Sequence, residues 1–115
     1  MTLPVTRHSE QFATAGQIAV SDLPEIAAMG FKTVINNRPD GEGGPTQPLS
    51  SDLEQVAREN GLSYVYLPVV SGQITPEQVQ QMAQVLKQTA QPIFCFCKSG
   101  GRSTNLWLMA QQSAA

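Results

Sequence analysis

The sequence predicts an α/β domain built on a largely parallel, covered sheet, and three observations predict it. Short strand-forming runs alternate with helical stretches along the chain. One run, "IFCF" at 93–96, is apolar without interruption, as strands buried centrally in a sheet are. The length of 115 residues suits one domain, burying roughly two-thirds of its unfolded surface without needing a disulfide or metal to fold.

The elements follow in order. Residues 1–10 read as a loose arm on a single domain spanning 1–115. "FATAGQIAV" offers one or two short strands around Gly16. "SDLPEIAAMG" reads as a short helix: Ser21 can cap it, Asp22 and Glu25 suit its positive end, Pro24 is tolerated in the first turn, and Gly30 stops it. "FKTVIN" is a strand that breaks at "NNRPDGEGGPTQP". This long Pro- and Gly-rich loop is of the kind that tends to carry function. "SSDLEQVARENG" is a second helix, with Ser51 and Glu54 as a capping box, Leu53, Val56 and Ala57 on one face, and Gly61 as its stop. "LSYVYLPVV" is a strand. "SGQITPEQVQQMAQVLKQTAQ" carries the plainest helix: Thr75 caps, Pro76 opens, Gln78 completes the box, and Val79, Met82, Ala83 and Leu86 form the buried stripe. After Pro92 and "IFCF", a last helix starts near Ser103 and carries Leu106, Trp107 and Ala110.

Net charge is −2, which argues against nucleic acid or an anionic membrane as partner, so any attraction for an anion is local. The two cysteines, Cys95 and Cys97, are too close in sequence to bridge without strain and read as reduced thiols, which suits the cytoplasm. The first ten residues lack an apolar signal core and no stretch approaches membrane-spanning length, so the chain reads as soluble and unexported. The single histidine, His8, falls in the arm, and no metal or other cofactor is expected.

The chemistry concentrates in "CKSGGRS", 97–103. The loop lies where α/β sheets bind ligands, beyond the carboxyl ends of the strands. Ser99, Gly100 and Gly101 are small, so their backbone N–H groups can turn toward one centre, backed by a helix N-terminus. Lys98 adds positive charge, and Arg102 adds a planar fork matched to two oxygens of a tetrahedral anion. The same donors stabilise a thiolate, so the Cys97 pKa should fall below the free-thiol value of about 8.5. Ser103 could hydrogen-bond the sulfur and ease its departure. An anion hole and an activated nucleophile in one pocket support covalent catalysis on phosphate, or on sulfur carried by an anion. Cys95 reads as packing.

"TAGQIAVSDLPEIAAMGFKTVINNRPDGE", "LSYVYLPV" and "CKSGGRSTNLW" together resemble the bacterial DUF442 family, the phosphatase-like domain of beta-lactamase-hydrolase-like proteins, over roughly residues 10–112. The resemblance implies a three-layer, tyrosine-phosphatase-like fold with helices on both sides of the sheet. Carried over by position, Cys97 would attack phosphorus and form a phosphocysteine. Arg102 and the loop amides would hold the equatorial oxygens, and Ser103 would match the hydroxyl residue after the arginine. Departures are visible. Tyrosine phosphatases place five residues between cysteine and arginine, whereas four stand here; the usual histidine before the nucleophile is Phe96. The general-acid aspartate expected after "YVYLPVV" is missing, and Asp40 is the best substitute, with Arg38 a candidate for holding the substrate body. A rhodanese-like sulfurtransferase carrying a persulfide on Cys97 is the rival reading, favoured by the six-residue loop and needing no general acid. A non-catalytic anion-binding module for phosphoproteins is the third. On the first reading the partner is a phosphorylated small molecule or protein.

Overall fold

A computed structural model describes residues 4–113. Five strands, β1 (Val5–Ser9), β2 (Phe12–Ala15), β3 (Thr33–Asn36), β4 (Ser63–Tyr66) and β5 (Ile93–Phe96), form one sheet in the order β1-β2-β5-β3-β4. β2, β5, β3 and β4 are mutually parallel and β1 joins β2 antiparallel. Among the described residues there are four α-helices, α1 (Leu23–Ala28), α2 (Ser50–Glu59), α3 (Pro76–Gln88) and α4 (Gly101–Ser113), with a 3-10 turn at Val20–Asp22 leading into α1. β5 lies at the centre and is buried along its length, as the unbroken apolar run predicts.

Strand alternation sorts the core into two layers. Phe94 and Phe96 of β5 pack with Val34, Leu23 and Ile26 of α1, and Leu53 and Ala57 of α2. Ile93 and Cys95 face the other way, against Ile35, Val79 and Met82 of α3, and Leu106 and Ala110 of α4. The sheet is therefore covered on both faces, giving the three layers expected.

The expected arm is corrected over residues 5–9, which form β1. It is an edge strand whose register shifts between Arg7 and Ser9, and none of its residues is fully buried. Such a strand lacks the clean alternation that betrays one in sequence. Its His8 hydrogen-bonds Thr14 Oγ1 at 2.8 Å and lies 5.1 Å from the Trp107 ring, so the histidine packs against α4. The remainder of the arm, residues 1–3, lies outside the described residues.

Helix starts differ in detail. At α1, Asp22 rather than Ser21 makes the side-chain contact, accepting the Ala19 N–H at 2.7 Å. α2 starts at Ser50 without the Ser51–Glu54 box; Glu54 pairs instead with Arg58 at 2.8 Å. α3 starts as expected, with Thr75 and Gln78 capping reciprocally. α4 starts at Gly101, two residues ahead of Ser103. No helix among the described residues is long and apolar enough to cross a membrane.

Because β2, β5, β3 and β4 run parallel, the chain leaves all four at one end of the sheet. Registers Asn36↔Phe96 and Ala15↔Phe96 put Asn37 and Gly16 beside Cys97. The ladder closes there with Asn37 N–H to Phe96 O at 2.9 Å and Cys97 N–H to Ala15 O at 3.3 Å.

Candidate active site

The loop after β5 curls around its own first residue. Gly100 turns with φ +95°, a conformation that disfavours any side chain, and a Cβ there would sit 3.5 Å from the Ala15 backbone. Opposite, a Cβ on Gly16 would come within 3.0 Å of Lys98 O, which accepts the Gln17 N–H at 3.2 Å. The turn is thus clamped against the end of β2, and the Gly100 N–H donates to Cys97 Sγ at 3.1 Å.

Cys97 is buried within this curl. Burial alone would raise its pKa; hydrogen bonds from the Ser103 amide and hydroxyl and from the Ser99 and Gly100 amides outweigh it and bring the pKa below the ordinary thiol value. Cys95, one pleat back, has the opposite character. Burial pushes its thiol up to about 12, and its S–H donates to Asn37 Oδ1 at 2.9 Å.

Arg102 is held from the side. Nη1 donates to Glu42 Oε2 at 2.7 Å and Val69 O at 2.9 Å, and Nη2 donates to Glu42 Oε1 at 2.7 Å. Of the five guanidinium N–H donors these bonds use three. The edge formed by Nε and the second Nη2 hydrogen has no hydrogen-bond partner among the described residues. Glu42 also accepts Arg38 Nε at 2.9 Å. The Arg102 fork, and secondarily Arg38, overcome partial burial to lower its pKa to about 2.

That shift fixes an acid response. A carboxyl at 4.5 when unfolded and about 2 when folded contributes stability present in full above pH 4.5 and lost as pH falls through 2. Urea unfolding of the native chain and Glu42→Gln should therefore show an advantage for Glu42 at pH 6 that disappears near pH 2. A constant difference across that range would dissociate the clamp from stability. The Glu42 side chain is 26% exposed, so the advantage should also shrink in high salt.

The expected site residues gather unevenly. Gly100 bonds the Cys97 sulfur directly at 3.1 Å, the Ser99 and Ser103 groups favour its ionised form, and Arg102 interacts with it electrostatically. Lys98 is exposed at the rim. Arg38 is largely enclosed, its Nη1 bonded to Gln17 Oε1 at 3.1 Å, so it braces Glu42. Asp40 is exposed; its Oδ1 accepts the Ser50 N–H at the start of α2 at 2.8 Å, and its own N–H donates to the Tyr66 hydroxyl at 2.8 Å. Glu42 and Asn37 carry no role in the sequence reading. Their only signal is membership of "NNRPDGE", since the partners that give them roles are some sixty residues away. Outside the loop, Arg102, Asn105, Leu108 and Met109 of α4 face Ser71, Gly72 and Ile74 across a groove of about 710 Å³.

A central parallel strand ending in a cysteine loop, a helix behind it and an arginine fork beside it define a tyrosine-phosphatase-like domain. Solved structures agree. A candidate phosphatase from Neisseria meningitidis aligns at TM-score 0.81 and 29% identity, covering 89% of this chain and 72% of that one. A Pseudomonas aeruginosa protein, TpbA, crystallised with phosphotyrosine, aligns at 0.67 and 13% identity over 90% of this chain and 59% of that one. Residues 5–114 match the family described as "beta-lactamase hydrolase-like protein, phosphatase-like domain", and the chain belongs to that family. A beta-lactamase hydrolase-like protein of Agrobacterium fabrum is 33% identical over 109 residues, 95% of this chain and 25% of the relative, so this chain spans about a quarter of that protein's length.

Proposed function

We propose that this domain is a cysteine-dependent phosphatase-like hydrolase of phosphate monoesters. The Cys97 thiolate attacks phosphorus, an S–P bond forms as the ester P–O bond breaks, and water then releases phosphate and restores the thiolate. The loop amides and the free edge of Arg102 hold the equatorial oxygens, and the organic body of the substrate lies along the α4 groove, whose cationic end is Lys98 and Arg102. The observation that carries this reading is the curl of the Cys97–Arg102 loop around its own sulfur, in which the Gly100 N–H donates to Cys97 Sγ at 3.1 Å and the Ser99 and Ser103 groups also favour the thiolate. Purified protein assayed with an aryl phosphate should release phosphate; no release under conditions where Cys97 alkylates readily would sink the reading.

The leaving oxygen needs a proton. We assign it to Asp40, the nearest carboxylate in sequence to the Arg102 clamp that is not itself bound to an arginine. Asp40→Asn keeps an oxygen for the Ser50 N–H and so leaves the start of α2 intact. Turnover of alkyl phosphates should fall by about 10²–10⁴, and of aryl phosphates, whose leaving groups need little help, far less. Equal loss on both substrates, or none, removes Asp40 as the acid.

One observation favours sulfur transfer: both carboxylates of the loop are already engaged, Asp40 at α2 and Glu42 between two arginines. In that reading Cys97 displaces sulfite from thiosulfate, becomes a persulfide and passes the sulfur to a nucleophile such as cyanide, with no acid required. Thiocyanate formation without phosphate release would select it. Binding of phosphate with neither activity would select the anion-binding module.

A further inference from the structure

Cys95 sits two residues before the nucleophile, fully enclosed, among residues that pack for purely apolar reasons. Its sulfur nevertheless makes a specific polar contact. Asn37, also fully enclosed, accepts at Oδ1 from Cys95 Sγ at 2.9 Å and from Ser103 Oγ at 2.9 Å, and donates Nδ2 to Leu67 O at 2.8 Å. One side-chain amide thus ties together β5, the end of β3, the end of β4 and the helix behind the nucleophile.

Ser103 has a single hydroxyl hydrogen and three groups near enough to take it: Asn37 Oδ1, at 2.9 Å, and the Cys95 and Cys97 sulfurs, whose ionised forms the same hydroxyl stabilises; Cys95 stays a neutral thiol, so the contest is between Asn37 and Cys97. When Cys97 is a neutral thiol, giving the hydrogen to Asn37 costs nothing. When Cys97 ionises, the hydrogen is needed at the sulfur, and a buried Asn37 oxygen with no other donor would be left unsatisfied, which is expensive. Cys95 removes that expense, because its S–H still fills Oδ1.

We propose that Cys95 is a positioning residue: by donating its S–H to Asn37 Oδ1 it frees the Ser103 hydroxyl to hydrogen-bond the Cys97 thiolate. This rests on Cys97 being the nucleophile but not on which group it transfers. Cys95 stays neutral through the physiological range, so deleting it alters no charge near Cys97. The charged and titratable groups that bear on Cys97 are Arg102, with Glu42 behind it, and Cys95 itself. Only the last changes in the test, and only as a donor.

The experiment is the pH midpoint of Cys97 alkylation by iodoacetamide, with the single adduct located by mass, in the full chain. Cys95→Ala should raise the midpoint by about one unit, the size expected for losing one hydrogen bond to an ionised group. Cys95→Ser, which restores a donor, should return it to the native value. Ser103→Ala should raise it similarly, and adding Cys95→Ala to Ser103→Ala should raise it no further, since Cys95 acts through Ser103. Cys95→Val keeps apolar volume without a donor and carries the same expectation should the alanine variant not fold. A native midpoint in folded Cys95→Ala or Cys95→Val, a rise in Cys95→Ser equal to that in Cys95→Ala, or full additivity with Ser103→Ala would overturn the proposal. Phosphate release with an unmoved Cys95→Ala midpoint defeats this inference alone; shifted midpoints in a protein without phosphatase activity defeat the functional reading alone.

Discussion

Cys97→Ser should abolish aryl-phosphate hydrolysis, lowering turnover by about 10⁴-fold or more, while phosphate still binds with an affinity within a few-fold of native. The two halves of this expectation have separate physical origins. Covalent catalysis needs an anionic nucleophile near neutral pH, and a serine hydroxyl with no adjacent base is not one. Anion binding needs the Ser99, Gly100 and Ser103 amides, the helix N-terminus and the free edge of Arg102, none of which the substitution touches. The smaller oxygen can still accept the Gly100 N–H that reaches Cys97 Sγ at 3.1 Å, so the loop should keep its curl. Turnover by stopped assay and phosphate binding by calorimetry decide the matter together. Residual hydrolysis above about one per cent of native would mean that sulfur is not the nucleophile. Loss of binding alongside loss of turnover would mean that the loop, rather than the chemistry, had failed. The same variant does not separate the rival: thiocyanate formation from thiosulfate and cyanide should vanish with it as well, so only the native activity profile tells phosphoryl from sulfur transfer.

The parts of this site legible in sequence are those whose partners are near in sequence. The curl around Cys97 is local, from Gly100 at +3 to Ser103 at +6, and its small residues and trailing helix announce it. The parallel sheet follows from the alternation of elements, and with it the meeting of the Asn37–Glu42 loop and the Cys97 loop at one end of the sheet. What the chain does at that meeting is not legible. Glu42 reads as a loop charge until it is seen bidentate to Arg102, and Cys95 reads as packing until Asn37 is seen beside it. The start of α2 shows the same limit. Ser51 and Glu54 have the spacing of a capping box, yet the backbone N–H at the helix start is met by Asp40 from ten residues upstream, because the long loop folds back onto the helix end. Local rules name the groups that need a partner; only the fold decides which partner arrives. β1 escapes for a different reason: an edge strand with a bulge and no buried face has too little pattern to detect.

Arg102→Ala should carry the second large effect, a fall in kcat/KM of about 10²–10³ on aryl phosphates, with most of the inorganic phosphate affinity lost. Arg102→Lys should recover little of it. A lysine restores the charge, but one ammonium cannot span Glu42 and Val69 O on one side while offering two parallel N–H groups to an anion on the other. The geometry makes a further demand. Glu42 holds the guanidinium by one edge; on the proposed reading the carboxylate would work by restricting the arginine to one orientation, although its charge alone would repel a phosphate. Glu42→Gln should therefore lower kcat/KM in the native background and do almost nothing once Arg102 is alanine, a strongly non-additive pair. If electrostatic repulsion dominated, Glu42→Gln would instead improve phosphate binding, and would do so more clearly without Arg102, where the carboxylate is no longer neutralised by its larger partner. The sign of that single variant on phosphate affinity thus decides whether the Arg38–Glu42–Arg102 row holds the fork open for an anion or stands in the anion's way.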